Sequence, residues 1–276
     1  MPATGNKSYH PLSLSIRLRA DGFSFFVCDL QTSSLIRGEH FLQSDNLSLA
    51  DQLSRELSRP DYFNRQIDQC FVLVSTPSTR VPLEEFRRED ATALYEFTFA
   101  STGKDFHRVA YNILPQLECA ELFAIPTEIE ETILQFYPTA RFFASRAILM
   151  ERLMLLEEDQ PQDSARLYLC PEPEGFSLFA FDGRRLRFAN TFQSAAVPDA
   201  LYFILNVWKS LGLDALKDRL KIVAHEDGYD EELRIDLAEY LLAIDILTPD
   251  DIFSRVPLTR EKQVPLDLMA LLLNRI

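Results

Sequence analysis

Glycine is scarce in this chain: there are 8 in 276 residues, and the closest pair, Gly175 and Gly183, is eight positions apart. The phosphate-cradling patterns GxG, GxGxxG and GxxxxGK all need tighter spacing, so none of them exists here. Cysteine is also sparse. Cys28, Cys70, Cys119 and Cys170 show no CxxC spacing and sit in or beside strand-like runs. They read as small buried hydrophobes of a reducing compartment rather than as zinc ligands. His10, His40, His107 and His225 are far apart, with no neighbouring Cys or Ser to form a nucleophilic pair. A GxSxG element is missing as well. No apolar run approaches the roughly 20 residues needed to span a bilayer. Met1–His10 is polar and lacks the apolar centre of a signal peptide, so a cytoplasmic protein without membrane insertion is expected.

Positive charge is in deficit too, with 28 Lys and Arg against 42 Asp and Glu, a formal net charge of −14. That balance argues against gripping a nucleic-acid backbone by bulk electrostatics. Arg184, Arg185 and Arg187 are the nearest thing to a basic patch, and they read as a charged strand edge. At 47% hydrophobic and 25% charged, the composition is that of a folded globular protein. The length is comfortable for two lobes.

What is present is an internal echo. Residues 22–29 read Gly-Phe-Ser-Phe-Phe-Val-Cys-Asp, and 153 positions later residues 175–182 read Gly-Phe-Ser-Leu-Phe-Ala-Phe-Asp. A strand-like run follows each copy (35–41 and 186–192), then an amphipathic helix (47–57 and 198–211), then a short apolar strand (70–74 and 220–224). Four elements in one order at nearly constant offset predict two copies of one supersecondary unit.

Leu12–Arg19 alternates in period two, and Ala20-Asp21-Gly22 turns it back into a second strand. Asn46 or Ser48 can cap the first helix. The continuous apolar run 71–74 reads as a central strand covered on both faces. A segment from about 76 to 117, without counterpart in the second copy, is expected to be a small inserted subdomain. Its parts are a helical stretch (84–90) and strand-like runs at 94–99 and 108–114. Residues 122–125 are expected to resume the main lobe as a strand. A helix opens at Pro126-Thr127 with a capping box from Thr127 to Glu130, followed by a strand (141–144) and an apolar helix (145–156). Residues 157–164, rich in acids with Pro161, form the expected linker. The second copy continues through a helix from Pro198 to Gly212, a helix at 230–242, a strand at 244–247 and a terminal helix at 266–276. The fold class expected is α/β, with β-β-β-α-β-α-β-α in each of two lobes and mixed sheets. The lobes are assigned to 1–158, with the insert, and 165–276.

Duplicated lobes of this order resemble the actin-like ATPase superfamily, whose lobes are ribonuclease-H-like five-stranded sheets. Glu121-Leu-Phe-Ala-Ile-Pro-Thr-Glu-Ile-Glu-Glu-Thr-Ile-Leu resembles the strand-Pro-helix segment of the PilM family of pilus assembly proteins and its type II secretion relatives. Arg141–Met154, Glu232-Leu-Arg, Ile244-Asp-Ile-Leu-Thr-Pro-Asp and the final apolar helix follow that family's order. The chain also resembles bacterial families to which no function is assigned.

The resemblance implies that each lobe's first hairpin would wrap nucleotide phosphates, with an Asp ending the first strand near Mg²⁺. This chain departs from that pattern. Arg17 falls where the family's Asp would sit, and Arg19 where its glycine would. In the second lobe Cys170 leads into Pro171-Glu172-Pro173-Glu174, where prolines lack the amide and glutamates repel phosphate. No catalytic or metal residue and no cofactor is assigned. The implied reading is a catalytically silent scaffold that binds a short segment of another protein or a second copy of itself. The alternative is an enzyme with an atypical nucleotide or sugar-phosphate site in an interlobe cleft. Its candidates are Arg17, Arg19, Asp21 and Gly22 from one hairpin and Glu172, Glu174 and Gly175 from the other. The acidic clusters Glu84-Glu85 with Glu89-Asp90, and Asp227 with Asp230-Glu231-Glu232, read as solvated helix faces. A pairing of His225 with Asp227 reads as turn structure.

Overall fold

The computed structural model describes residues 10–59, 67–99, 107–157, 164–172, 175–193, 197–224 and 229–274. In the first lobe, β1 (Leu12–Arg19), β2 (Gly22–Asp29) and β3 (Ser34–Leu42) form a meander, followed by α1 (Leu49–Leu57) and β4 (Gln69–Val74). Leu14, Ile16 and Leu18 alternate with Ser13, Ser15 and Arg17, so β1 sends its aliphatic residues to one sheet face and its polar ones to the other. Ser48 caps α1: its hydroxyl accepts from the Asp51 amide at 3.0 Å. Leu53 and Leu57 on α1 are buried.

The insert comprises β5 (Ser78–Pro82), α2 (Ala91–Thr98), β6 (His107–Leu114) and β7 (Cys119–Pro126), with a short 3-10 turn at Arg88–Asp90. After it come α3 (Thr127–Phe136), β8 (Arg141–Ala144) and α4 (Ser145–Glu157). The first main sheet has the order β3-β2-β1-β4-β8, with β1, β4 and β8 parallel and the meander antiparallel. The second lobe repeats it: β9 (Arg166–Glu172), β10 (Gly175–Asp182), β11 (Arg185–Gln193), α5 (Val197–Ser210), β12 (Arg219–Val223), α6 (Tyr229–Leu237) and β13 (Ala243–Leu247). Its sheet order is β11-β10-β9-β12-β13. Two mixed five-stranded sheets were expected, and two are present. The second has its own core of Leu167, Leu169, Phe176, Ile204, Trp208 and Leu220 with their neighbours. The chain closes with α7 (Pro249–Ile252) and α8 (Leu266–Asn274).

The duplication extends to register. Arg19 pairs with Gly22 across the first hairpin and Glu172 with Gly175 across the second. A bulge interrupts β2 against β3 at Val27/Cys28, and another interrupts β10 against β11 at Ala180/Phe181, again 153 positions on.

Several expectations are corrected. Of the run 94–99, residues 94–98 belong to a helix, α2, and Phe99 caps it, because Ala91 and Tyr95 form the stripe that packs on the insert sheet with Ala120 and Leu122. Residues 122–125 do not resume the main sheet; β7 is the central strand of the insert sheet, ordered β5-β7-β6, so the insert runs to Pro126. β5 was not foreseen. The capping box from Thr127 to Glu130 does not form, since α3 has no side-chain cap and Glu130 instead accepts from Arg108 Nε at 2.7 Å. Glu157, expected in the acidic linker, is fully buried, while the rest of that linker up to residue 163 lies outside the described residues. The 230–242 helix ends at Leu237.

The chain divides into two compact units, Met1–Leu149 with Val256–Ile276, and Met150–Arg255, the division falling within α4. The terminal segment, expected in the second lobe, therefore belongs with the first. Leu258 donates its amide to Ser33 O at 2.9 Å, tying the 3-10 turn at Pro257–Arg260 to the start of β3. The apolar run of α8 shows in the sequence that the helix is buried, but not against which sheet.

Candidate functional site: the first hairpin of each lobe

In sheets of this kind ligands gather at the carboxyl ends of the parallel strands. In the first lobe those ends carry Arg17 and Arg19 on β1, Ser75 after β4 and Ser145 at the start of α4, with the Ser75 and Ser145 hydroxyls 3.0 Å apart. Only Ala20 and Asp21 separate Arg19 from its partner Gly22, so the hairpin is closed by a two-residue loop.

Arg17 Nε donates to Asp267 Oδ2 at 2.8 Å, with the two side chains 14% and 3% exposed. Asp267 stands in the first turn of α8, where a carboxylate also complements the helix dipole, and its Oδ1 accepts the Leu268 amide at 2.9 Å. Arg19 pairs with Asp21 at 2.5 Å. His40 on β3 lies close enough to feel both arginines, and its Nδ1 is 2.7 Å from the Ser24 hydroxyl. Burial first, and then Arg19 and Arg17, hold the His40 pKa below its ordinary value. The first hairpin thus brings Arg17, Arg19, Asp21 and Gly22 together. Sequence reasoning missed Asp267 and His40. Asp267 is 250 positions from Arg17, and His40 has no neighbour in the chain that sets it apart from the other histidines.

Gly22 and Gly175 have a shared reason to be glycine. A Cβ on Gly22 would stand 2.1 Å from Phe41 O, and one on Gly175 would stand 1.9 Å from Phe192 O. Both residues also have positive φ, +152° and +156°. The third strand of each meander runs directly beside the hairpin's returning glycine, and any side chain there would collide with its backbone. In the second hairpin Glu172 accepts from the Ser177 hydroxyl, which also lies 2.8 Å from Thr191 Oγ1. Glu174 lies outside the described residues, as do His225 and Asp227.

A family model described as "Protein of unknown function (DUF3822)" matches residues 5–243. The chain belongs to this family. No curated protein matches it. Among solved structures, a protein of Bacteroides thetaiotaomicron VPI-5482 with an actin-like ATPase fold and unknown function is similar at TM-score 0.78 and 24% identity, covering 95% of this chain and 96% of that one. A PilM–PilN type IV pilus biogenesis complex is similar at TM-score 0.57 and 13% identity, covering 95% and 97%. The fold of this DUF3822 member is therefore actin-like.

The donor set of its first hairpin does not fit a magnesium–nucleotide complex. The position where the resemblance expects a carboxylate near the metal carries a cation, Arg17, engaged by Asp267. Asp21, the one carboxylate in the loop, is engaged by Arg19. Each guanidinium already has a carboxylate partner, so neither carboxylate is left over to meet a cation. Among the described residues no group of three or more His, Cys, Asp or Glu is placed to hold a metal ion. All four cysteines are buried and none forms a disulfide, and burial pushes the Cys28 and Cys70 thiols up to about 12, far from reactive thiolates. No helix among the described residues is long and apolar enough to cross a membrane.

A second charged cluster lies in the second lobe. Arg166 Nη1 donates to Glu157 Oε2 at 2.7 Å, Tyr168 donates its hydroxyl to Glu157 Oε1, and Lys221 Nζ sits 5.5 Å from the Tyr168 ring centroid. Burial, ahead of the neighbouring charges, lowers the Lys221 pKa. These groups anchor the start of β9 to the end of α4.

Proposed function

We propose that this DUF3822 protein is a catalytically silent actin-like module that works by holding a protein partner. The observation that carries this reading is the Arg17–Asp267 pair, which fills with a neutralised guanidinium the position where the resemblance places a metal-positioning aspartate. Mg²⁺ takes oxygen ligands such as carboxylates, and a guanidinium supplies none. The Arg19–Asp21 pair and the tight two-residue loop support it further. For the partner, the support is the likeness to PilM, a protein solved in complex with PilN. The step from that protein to this one is an analogy of fold.

The experiment is affinity purification of the chromosomally tagged chain, with and without EDTA. A stoichiometric protein partner, retained when EDTA strips Mg²⁺ and with it bound nucleotide, is the expected result. A partner released by EDTA, or none at all beside turnover of nucleotide or sugar phosphate, would favour the enzyme reading instead.

A further inference from the structure

A cavity of about 460 Å³ opens at the amino end of β1 in the first lobe. That size falls within the roughly 300–1,000 Å³ typical of small-molecule sites. Its described lining residues are Pro11, Leu30, Gln31, Gln69, Phe71, Leu271 and Leu272. Phe71, Leu271 and Leu272 are buried and make an apolar floor; Gln31 and Gln69 are exposed and make a polar rim. None of these lining residues carries a charge.

The sheet beside the cavity holds an unusual feature. Ser13 and Ser15 are fully buried, and neither hydroxyl has a hydrogen-bond partner. Strand alternation puts both on the face of β1 that also carries Pro11, and register pairs Ser13 with Gln69 and Ser15 with Phe71, two residues of the cavity wall. Buried hydroxyls without partners are costly, and these two stand beside the cavity wall without being among its described lining residues.

We infer that this cavity binds an uncharged small molecule with a compact apolar body and one hydroxyl or amide end. The floor takes the apolar body, with the area term as its driving force. The Gln31 and Gln69 carboxamides, each both donor and acceptor, suit a neutral polar end. A carboxylate, phosphate or ammonium would lose its hydration against described lining residues that offer no counter-charge. This inference stands whether or not the partner reading holds.

The test uses the full chain and two probes that differ by one charged group: N-phenyl-1-naphthylamine, which is neutral, and 8-anilinonaphthalene-1-sulfonate, which is anionic. The neutral dye should show saturable one-site fluorescence enhancement, with the sulfonate at least about tenfold weaker. Gln31→Trp, at an exposed position, should block the mouth, and Gln69→Glu should set a charge against the ligand. Each should weaken the neutral dye by about tenfold or more while the far-ultraviolet circular dichroism stays unchanged. Absence of saturable binding, equal affinity for both dyes, or unchanged binding in both variants would each overturn the inference.

Discussion

Arg17 on the first strand and Asp267 in the last helix, 250 positions apart, form a 2.8 Å ion pair that ties the end of the chain to the first lobe's central strand. The pair does two things at once. It occupies the position where the resemblance to actin-like proteins expects a metal-positioning carboxylate, and it helps fix α8 over the polar face of β1.

Removing one partner should therefore be costly. Asp267→Ala leaves a mostly buried guanidinium uncompensated and should destabilise the protein by about 3 kcal/mol in urea unfolding. The double replacement Arg17→Met with Asp267→Leu should recover most of that loss, because an apolar pair of similar volume needs no desolvation of charge. A double variant as unstable as the single one would show that the pair is not the cause.

The two hairpin glycines make a sharper structural prediction. Gly22→Ala and Gly175→Ala should each cost about 1–3 kcal/mol or more, because the added methyl meets a backbone carbonyl that cannot retreat. Gly212, with φ +67° and nothing within 4 Å of a built Cβ, is the control. There alanine meets only the left-handed backbone penalty of about 1–2 kcal/mol. Chemical denaturation of the three variants side by side decides the order.

The buried Glu157–Arg166 pair should be the most sensitive electrostatic contact of the second lobe, with side chains only 0% and 1% exposed. Glu157→Gln should lower stability by about 3 kcal/mol or more. The exposed pair Arg234–Glu231 should tolerate Glu231→Gln without a measurable shift. Trp208, the single tryptophan, is buried in the second lobe's core, so its fluorescence reports the unfolding of that lobe.

His40 offers a pH test of the hairpin. Burial, then Arg19 and Arg17, depress its folded-state pKa below 6.5. A histidine depressed in the folded state favours unfolding once the unfolded chain can take up the proton. Its contribution is thus intact above pH 6.5 and is lost as pH falls through that value. NMR titration should show the His40 pKa below 6.5 and rising in Arg19→Gln. A pKa at or above 6.5 would mean that the two arginines do not act on it.

Much of the fold was legible. Period-two alternation gave β1 to its residue limits, and the Gly-Phe-Ser echo marked equivalent strands down to a shared bulge. The insert was harder. Leu94-Tyr95-Glu96-Phe97 is as apolar as a strand, and only Ala91 and Tyr95 facing the insert sheet make it a helix. β7 was identified as a strand but placed in the wrong sheet, because an apolar run carries no address. The candidate site was half legible: the arginines in place of Asp and Gly could be read directly. That Asp267 neutralises one of them is a tertiary fact, invisible to local pattern.

Isothermal titration calorimetry of the purified full chain with Mg-ATP and Mg-ADP tests the central claim most directly. The paired arginines of the first hairpin predict no binding heat at micromolar to low-millimolar nucleotide. Saturable binding with micromolar affinity, lost in Arg17→Ala, would contradict the silent reading and place a working nucleotide site at that hairpin.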